Sequence, residues 1–245
     1  MRFEGQVVIV TGGATGIGRA TCLGFAREGA AVAIVDLKGP DRVAEEIAGP
    51  GGAAAAFTTD VARATDVETM VRSVVERFGR IDVLVNNAGI GRPGRIEDVS
   101  EEEWDRTLAV DLKAHFLTCR AVLPIMRRQR RGHIVNVASI AGRHVSLVNS
   151  IPYTAAKAGV IGFTRHLAQE VGRDGIRVNA VAPGATRTPL FHGTLPTERQ
   201  AALAERIPLG YIADAEEQAA VILFLASDNA RYIHGAIVDV NGGLL

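Results

Sequence analysis

The sequence lacks most of the features that define specialised protein classes. It has two cysteines in 245 residues, Cys22 and Cys119, far apart, without a CxxC pair and inside apolar stretches. A disulfide framework or thiolate metal site is not expected, and both thiols read as buried and reduced. No run of about eighteen apolar residues occurs, and Met1-Arg2-Phe3-Glu4 leads straight into a short apolar segment without a secretory h-region. The expectation is a cytoplasmic chain with no membrane partner. The six histidines show no H-E-x-x-H spacing, which removes the usual signature of metal hydrolysis. Charge of one sign is missing too, with 27 basic and 27 acidic residues. The run Arg127-Arg128-Gln129-Arg130-Arg131, with no interleaved aromatics, therefore reads as the basic end of a helix, and no nucleic-acid partner is expected.

What is present describes a globular α/β chain. Hydrophobic residues make up 47% and charged residues 22%, and the 27 glycines follow no collagen period, so disorder and fibre are excluded. Apolar runs at Val7–Val10, Val32–Val35, Ile81–Val85, Ile134–Val137, Ile176–Asn179 and Ile237–Val240 read as strands buried on both faces, with a further strand over 53–58. Stretches of helical period separate them, long enough for right-handed crossovers. The fold class is thus α/β, a single-domain, Rossmann-like doubly wound fold over 1–245. Its seven-stranded parallel sheet carries helices on both faces. The turns at Gly39-Pro40, Gly49-Pro50-Gly51-Gly52 and Gly91-Arg92-Pro93-Gly94 are too short for linkers. The longest helical stretch runs from Glu101 to Arg131, with Ser100 as N-cap and Gly132 as stop.

Two motifs carry chemistry. After the first strand comes Thr11-Gly12-Gly13-Ala14-Thr15-Gly16-Ile17-Gly18, then a helix-compatible run from Arg19 to Glu28. Glycines let backbone amides approach a pyrophosphate, and the helix N-terminus adds partial positive charge. Asp36 ends the second strand, where a carboxylate accepts ribose hydroxyls and repels a 2′-phosphate, so the pair favours NAD over NADP; a strand-end Asp bonding its own turn is the bland alternative.

The second motif is Ser139 after the fifth strand, followed by Tyr153 and Lys157 four residues apart on one helix face. The chain holds only three tyrosines and three lysines, so this placement is hard to attribute to chance. A phenol titrates near 10 and is a poor base at neutral pH. An ammonium about 4 Å away, at an effective dielectric of about 20, favours the phenolate by about 4 kcal/mol, or roughly three pKa units. Tyr153 would then exchange a proton with the substrate oxygen while Ser139 hydrogen-bonds the same oxygen.

With these residues in view, the sequence resembles the short-chain dehydrogenase/reductase family over nearly its whole length. Thr11-Gly12 with Gly16 and Gly18, Asp60-Val61, Asn86-Asn87-Ala88-Gly89, Ser139, Tyr153 with Lys157, Pro183-Gly184 with Thr188, and Gly242-Gly243 carry the resemblance. It implies a nicotinamide cofactor and a homotetramer. It also implies that Asp60 and Val61 border the adenine, that Asn86, Asn87, Ala88 and Gly89 support the sheet beside the cofactor, that Lys157 holds the nicotinamide ribose, and that Thr188 bonds the carboxamide. Asp111 stands where the family usually has an asparagine in a proton relay.

The family's mobile lid corresponds here to residues 188–210, the least regular stretch, while Arg92, Arg143 and His144 are loop cations that could meet an anionic or polyhydroxylated substrate. The leading function is an NAD-dependent oxidoreductase interconverting a secondary alcohol and its ketone. The alternatives are a 3-oxoacyl thioester reductase using NADPH, and a nicotinamide-binding sensor without turnover.

Overall fold

A computed structural model describes residues 1–48, 53–146 and 148–244, which leaves the Gly49-Pro50-Gly51-Gly52 turn outside the described residues. Each strand is separated from the next by one or more helices. The first half comprises β1 (Val7–Thr11), α1 (Gly16–Arg27), β2 (Ala31–Asp36), α2 (Pro40–Ala48), β3 (Ala54–Thr58), α3 (Ala64–Phe78) and β4 (Val83–Asn86). Then come α4 (Glu101–Leu108), a π-helical turn (Ala109–Lys113), α5 (Ala114–Gln129), β5 (Gly132–Val137), α6 (Ile140–Arg143) and α7 (Ile151–Val171). The chain closes with β6 (Ile176–Pro183), α8 (Pro189–Thr194), α9 (Thr197–Arg206), α10 (Ala215–Ala226) and β7 (Ile237–Val240).

The seven strands form one parallel sheet in the order β3-β2-β1-β4-β5-β6-β7. Alternation along each inner strand feeds two cores, which is why the sequence shows unbroken apolar runs. Val7 and Ile9 pack with residues of α3, α5 and α7, while Val8 and Val10 pack with residues of α1, α2 and α10. Strand order reverses between β1 and β4, and a crevice opens at the carboxyl ends of these strands.

Three expectations need correction. The edge strands β3 and β7 are only half-buried, with Asp239 exposed on β7, because an edge has a neighbour on one side only. The fourth strand starts at Val83 rather than Ile81, since the buried Asp82 carboxylate accepts the Val7 amide at 2.9 Å and pairs with Arg80. The long helix ends at Gln129, and Arg130 takes the left-handed conformation at φ 54°. Gly132 instead opens β5, where a Cβ would lie 2.4 Å from Met126 Sδ. At the other end Ser100 does cap, its Oγ accepting the Glu103 amide at 3.1 Å. Arg127 pairs with Asp174 and Arg131 with Asp228, as suits the basic end of a helix.

Candidate active site

The crevice holds a cleft of about 360 Å³, within the range of small-molecule sites. One end is built by the turn after β1. Thr11 Oγ1 accepts the Asn87 and Ala88 amides at 3.0 and 3.1 Å, and Asn87 Nδ2 donates back to the Thr11 and Gly12 carbonyls at 3.0 and 3.1 Å. This lacing brings the backbones so close that a Cβ on Gly12, at φ +64°, would lie 2.8 Å from Ala88 Cα. Gly12, Gly16 and Ile17 line the cleft. Gly18 is not among the lining residues; a Cβ there would lie 1.9 Å from the Gly12 carbonyl oxygen, so its glycine serves packing. Thr15 makes no side-chain cap bond and the first turn of α1 has no acidic residue, which leaves uncapped amides suited to a dinucleotide pyrophosphate.

Asp36 lines the same end. Its Oδ2 accepts the Ala14 amide at 3.1 Å and its Oδ1 the Lys38 amide at 3.2 Å. The turn role and the cleft position therefore coexist, and each oxygen keeps a further lone pair. Asp60 and Val61 border the cleft beyond it, with Asp60 paired to Arg106 of α4 at 3.2 Å. Sequence reading missed Arg106, because only the tertiary fold brings α4 to the end of β3. Ala88, Gly89, Pro183, Gly184 and Thr188 line the middle. Thr188 caps α8, accepting the Phe191 amide at 3.2 Å, and its methyl packs on Gly16.

Ser139, Tyr153 and Lys157 come together there. Ser139 Oγ accepts the Ala141 amide at 3.1 Å, so its hydroxyl hydrogen is available to donate, and it hydrogen-bonds Tyr153. Lys157 Nζ donates to the Val137 carbonyl at 3.0 Å and lies 3.7 Å from Asp111 Oδ2, with both side chains buried. Asp111 sits in the π-helical turn, and its Oδ1 accepts the Ile90 amide at 2.8 Å. It stands behind Lys157 and is not a lining residue. Burial pushes its carboxyl up to about 6 against the pull of Lys157 and the Ile90 amide, so the carboxylate prevails at neutral pH. Burial in turn pulls Lys157 down and Asp111 holds it up.

The expected effect of Lys157 on Tyr153 is not the one found. The ammonium is 5.7 Å from the phenol ring centroid and turned toward Val137 and Asp111. Burial and then the Asp111 charge push the Tyr153 phenol above its ordinary value, against the Ser139 hydrogen bond. One carboxylate offsets the ammonium on which the expectation relied.

The other end of the cleft is formed by Ile90, Ile140, Val148, Asn149, Leu203 and Leu244. None of these was singled out from the sequence, since no local pattern marks them. Arg92, Arg143 and His144 do not line the cleft; Arg92 pairs with Glu103, and Arg143 with Asp239. Residues 188–210 are more regular than expected, forming α8 and α9, whose Phe191 and Leu203 pack with Ile207 and Ile212.

Residues 12–245 match the family model described as enoyl-(acyl carrier protein) reductase. The chain is 44% identical to 3-oxoacyl-[acyl-carrier-protein] reductase of Thermotoga maritima across the whole of both proteins. It is 42% identical to D-threitol dehydrogenase of Mycolicibacterium smegmatis, over 99% of this chain and 94% of that protein. The crystal structure of levodione reductase is similar with a TM-score of 0.93 at 38% identity, covering 99% of this chain and 98% of that one.

Proposed function

Since the chain belongs to the short-chain dehydrogenase/reductase family, oxidoreductases acting on CH–OH groups, we propose that it is an NAD-dependent dehydrogenase interconverting a secondary alcohol and its ketone. The observation that carries this reading is the convergence of Ser139, Tyr153 and Lys157 in one cleft with the uncapped start of α1. Bound nicotinamide would supply the hydride acceptor or donor. The glycine-rich turn and the first α1 amides would hold the pyrophosphate, Asp60 and Val61 the adenine, Lys157 the nicotinamide ribose, and Thr188 the carboxamide.

Tyr153 then takes the hydroxyl proton in oxidation and returns it in reduction, while the Ser139 hydroxyl holds the same oxygen. With burial, and then Asp111, raising the Tyr153 phenol, the neutral acid prevails at neutral pH, so reduction runs well there and oxidation gains as pH rises. Asp111 keeps Lys157 charged. Helices α8 and α9, over 188–210, act as the substrate lid of the single domain 1–245.

Asp36 supports NAD. A 2′-phosphate beside it would meet a like charge worth about 4 kcal/mol per unit charge at about 4 Å and an effective dielectric of about 20. Among the described lining residues at that end, the cation is Arg106, already paired with Asp60. A second reading, reduction of a 3-oxoacyl thioester with NADPH, draws on the 44% identity to a protein of that name. Exposed apolar residues on α4, α5 and α7, namely Trp104, Phe116 and Ile151, support self-association, which we read as the homotetramer implied by the family resemblance. The buried, unpaired cysteines suit a cytoplasmic setting.

The deciding experiment is turnover of a panel of secondary alcohols and ketones with NAD and NADP, for wild type and Asp36→Ala. Wild type should prefer NAD and the variant should narrow that preference. An NADP preference in wild type, or an unchanged ratio in Asp36→Ala, overturns the ribose contact. Cofactor binding without turnover on any substrate would favour a sensor.

A further inference from the structure

Beside the reacting pair Ser139 and Tyr153, the substrate end of the cleft is walled by Ile90, Ile140, Val148, Leu203 and Leu244. Of the charged side chains among the described lining residues, Asp36, Asp60 and Arg106 belong to the other end, and Lys157 is engaged by Asp111 and Val137. Of the remaining polar side chains there, Ser146 and Thr186 are used by the backbone. Ser146 Oγ accepts the Val148 and Asn149 amides at 3.3 and 2.7 Å, and Thr186 Oγ1 donates to the Gly184 carbonyl at 3.2 Å.

Asn149 differs. Among the described residues its buried Oδ1 has no hydrogen-bond partner, and its only hydrogen bond runs through its backbone amide to Ser146. Buried polar groups are nearly always paired, and a carboxamide that lines the cleft with its oxygen unmet is a group that a ligand can pair. Its place is fixed by Gly91. A Cβ on Gly91 would lie 2.7 Å from Asn149 Oδ1 and 3.2 Å from Tyr153 Cδ2, so the amide oxygen and the edge of the phenol ring converge on one point. The bond to Ser146 on one side and the start of α7 at Ile151 on the other hold the Asn149 backbone there.

We propose that Asn149 binds a second oxygen of the substrate, one or two carbons from the reacting carbon, and so selects small uncharged diols and hydroxyketones over simple alcohols. This rests on the dehydrogenase reading above. A carboxamide suits the task in both directions of reaction, because its oxygen accepts from a neighbouring hydroxyl and its N–H donates to a neighbouring carbonyl. The apolar wall takes the carbon skeleton and offers no cation to a carboxylate or phosphate.

The test is kcat/KM for butane-2,3-diol, butane-1,3-diol and butan-2-ol with each cofactor, in wild type, Asn149→Leu and Asn149→Ala, with NADH binding followed by fluorescence. Wild type should prefer at least one diol over butan-2-ol by about 10- to 100-fold, the discrimination available to a site with a buried polar group to satisfy. Both variants should shrink that ratio to within about threefold of unity while still binding NADH. Equal use of diols and butan-2-ol by wild type overturns the proposal, even if neither variant folds. An unchanged ratio in the variants does the same, as does a preference for an acetoacetyl thioester with NADPH over the diols. Absence of turnover with every alcohol and ketone tried would instead count against the dehydrogenase reading itself, and the proposal falls with it.

Discussion

Behind the cleft lie two groups of buried polar side chains, partly on the same helices, with opposite hydrogen-bonding states. In the first, Thr118 Oγ1 donates to Asn86 Oδ1 at 2.7 Å, Asn86 Nδ2 donates to Asn136 Oδ1 at 3.0 Å, and Asn136 Nδ2 donates to Thr164 Oγ1 at 2.9 Å. Thr164 passes its own proton to the Val160 carbonyl at 2.8 Å. This ladder ties β4 and β5 to α5 and α7 with every rung occupied. In the second, Asp111 Oδ2 and both ring nitrogens of His115 have no hydrogen-bond partner among the described residues, although both residues are buried. The π-helical turn contains Asp111 and ends two residues before His115. A satisfied buried network contributes to stability and specifies the fold, whereas unsatisfied groups cost stability and persist where something other than folding uses them. Here the unsatisfied carboxylate faces the lysine that stands behind Tyr153.

The comparison predicts that the two groups fail in different currencies. The largest effect belongs to the cleft: Tyr153→Phe should lower kcat by roughly 10²- to 10⁴-fold with cofactor binding and melting temperature little changed, and near-normal turnover would refute the assigned acid/base. Next is the ladder. Asn136→Leu strands an N–H of Asn86, while the Thr164 hydroxyl loses an incoming donor but keeps its bond to the Val160 carbonyl, so chemical denaturation should report a loss of about 1–3 kcal/mol while turnover per folded molecule stays within a few-fold. If stability is unchanged, the ladder does not carry the load assigned to it. Asp111→Asn should act mainly on the pH profile. Removing the carboxylate removes a charge that raises the Tyr153 phenol, so the alkaline rise of oxidation should move to lower pH. An unmoved limb would leave Asp111 with a structural role only.

The legible parts of this molecule are those set by local chain geometry. The β-branched runs mark the strands, the glycines between β1 and α1 mark a turn that no side chain could enter, and the spacing of Tyr153 and Lys157 places both on one face of α7. What was missed depends on approach between distant segments. Arg106 reaches Asp60 across the fold, Gly91 brings Asn149 to Tyr153, and Asp82 leaves the strand to accept the Val7 amide. The Tyr153 phenol is the instructive error. Sequence spacing supplies one charge pair, while the fold adds a buried carboxylate beside it and turns the ammonium away.

The smallest predicted effect has the opposite sign to that of the ladder and sharpens the contrast most. His115 is buried, and burial, then Lys157, keep its imidazole well below the ordinary value of 6.5, despite the Asn86 backbone nearby. The ring is therefore neutral in the folded protein, and neither nitrogen has a hydrogen-bond partner of normal geometry among the described residues, so little offsets its desolvation. His115→Leu, close in volume and apolar, should raise stability by about 1 kcal/mol at neutral pH, or roughly 2–4 °C in melting temperature for a chain of this size. The pH dependence follows from the depressed pKa. The unfolded chain takes up a proton at this position as pH falls below about 6.5 while the folded protein does not, so wild type loses stability on acidification. The variant lacks that loss, and its advantage should widen between about pH 7 and pH 5, a window in which the ladder has no titrating member. A variant that melts lower than wild type across this range would mean that the imidazole is paired after all, and the contrast between the two groups would fail at its most exposed point.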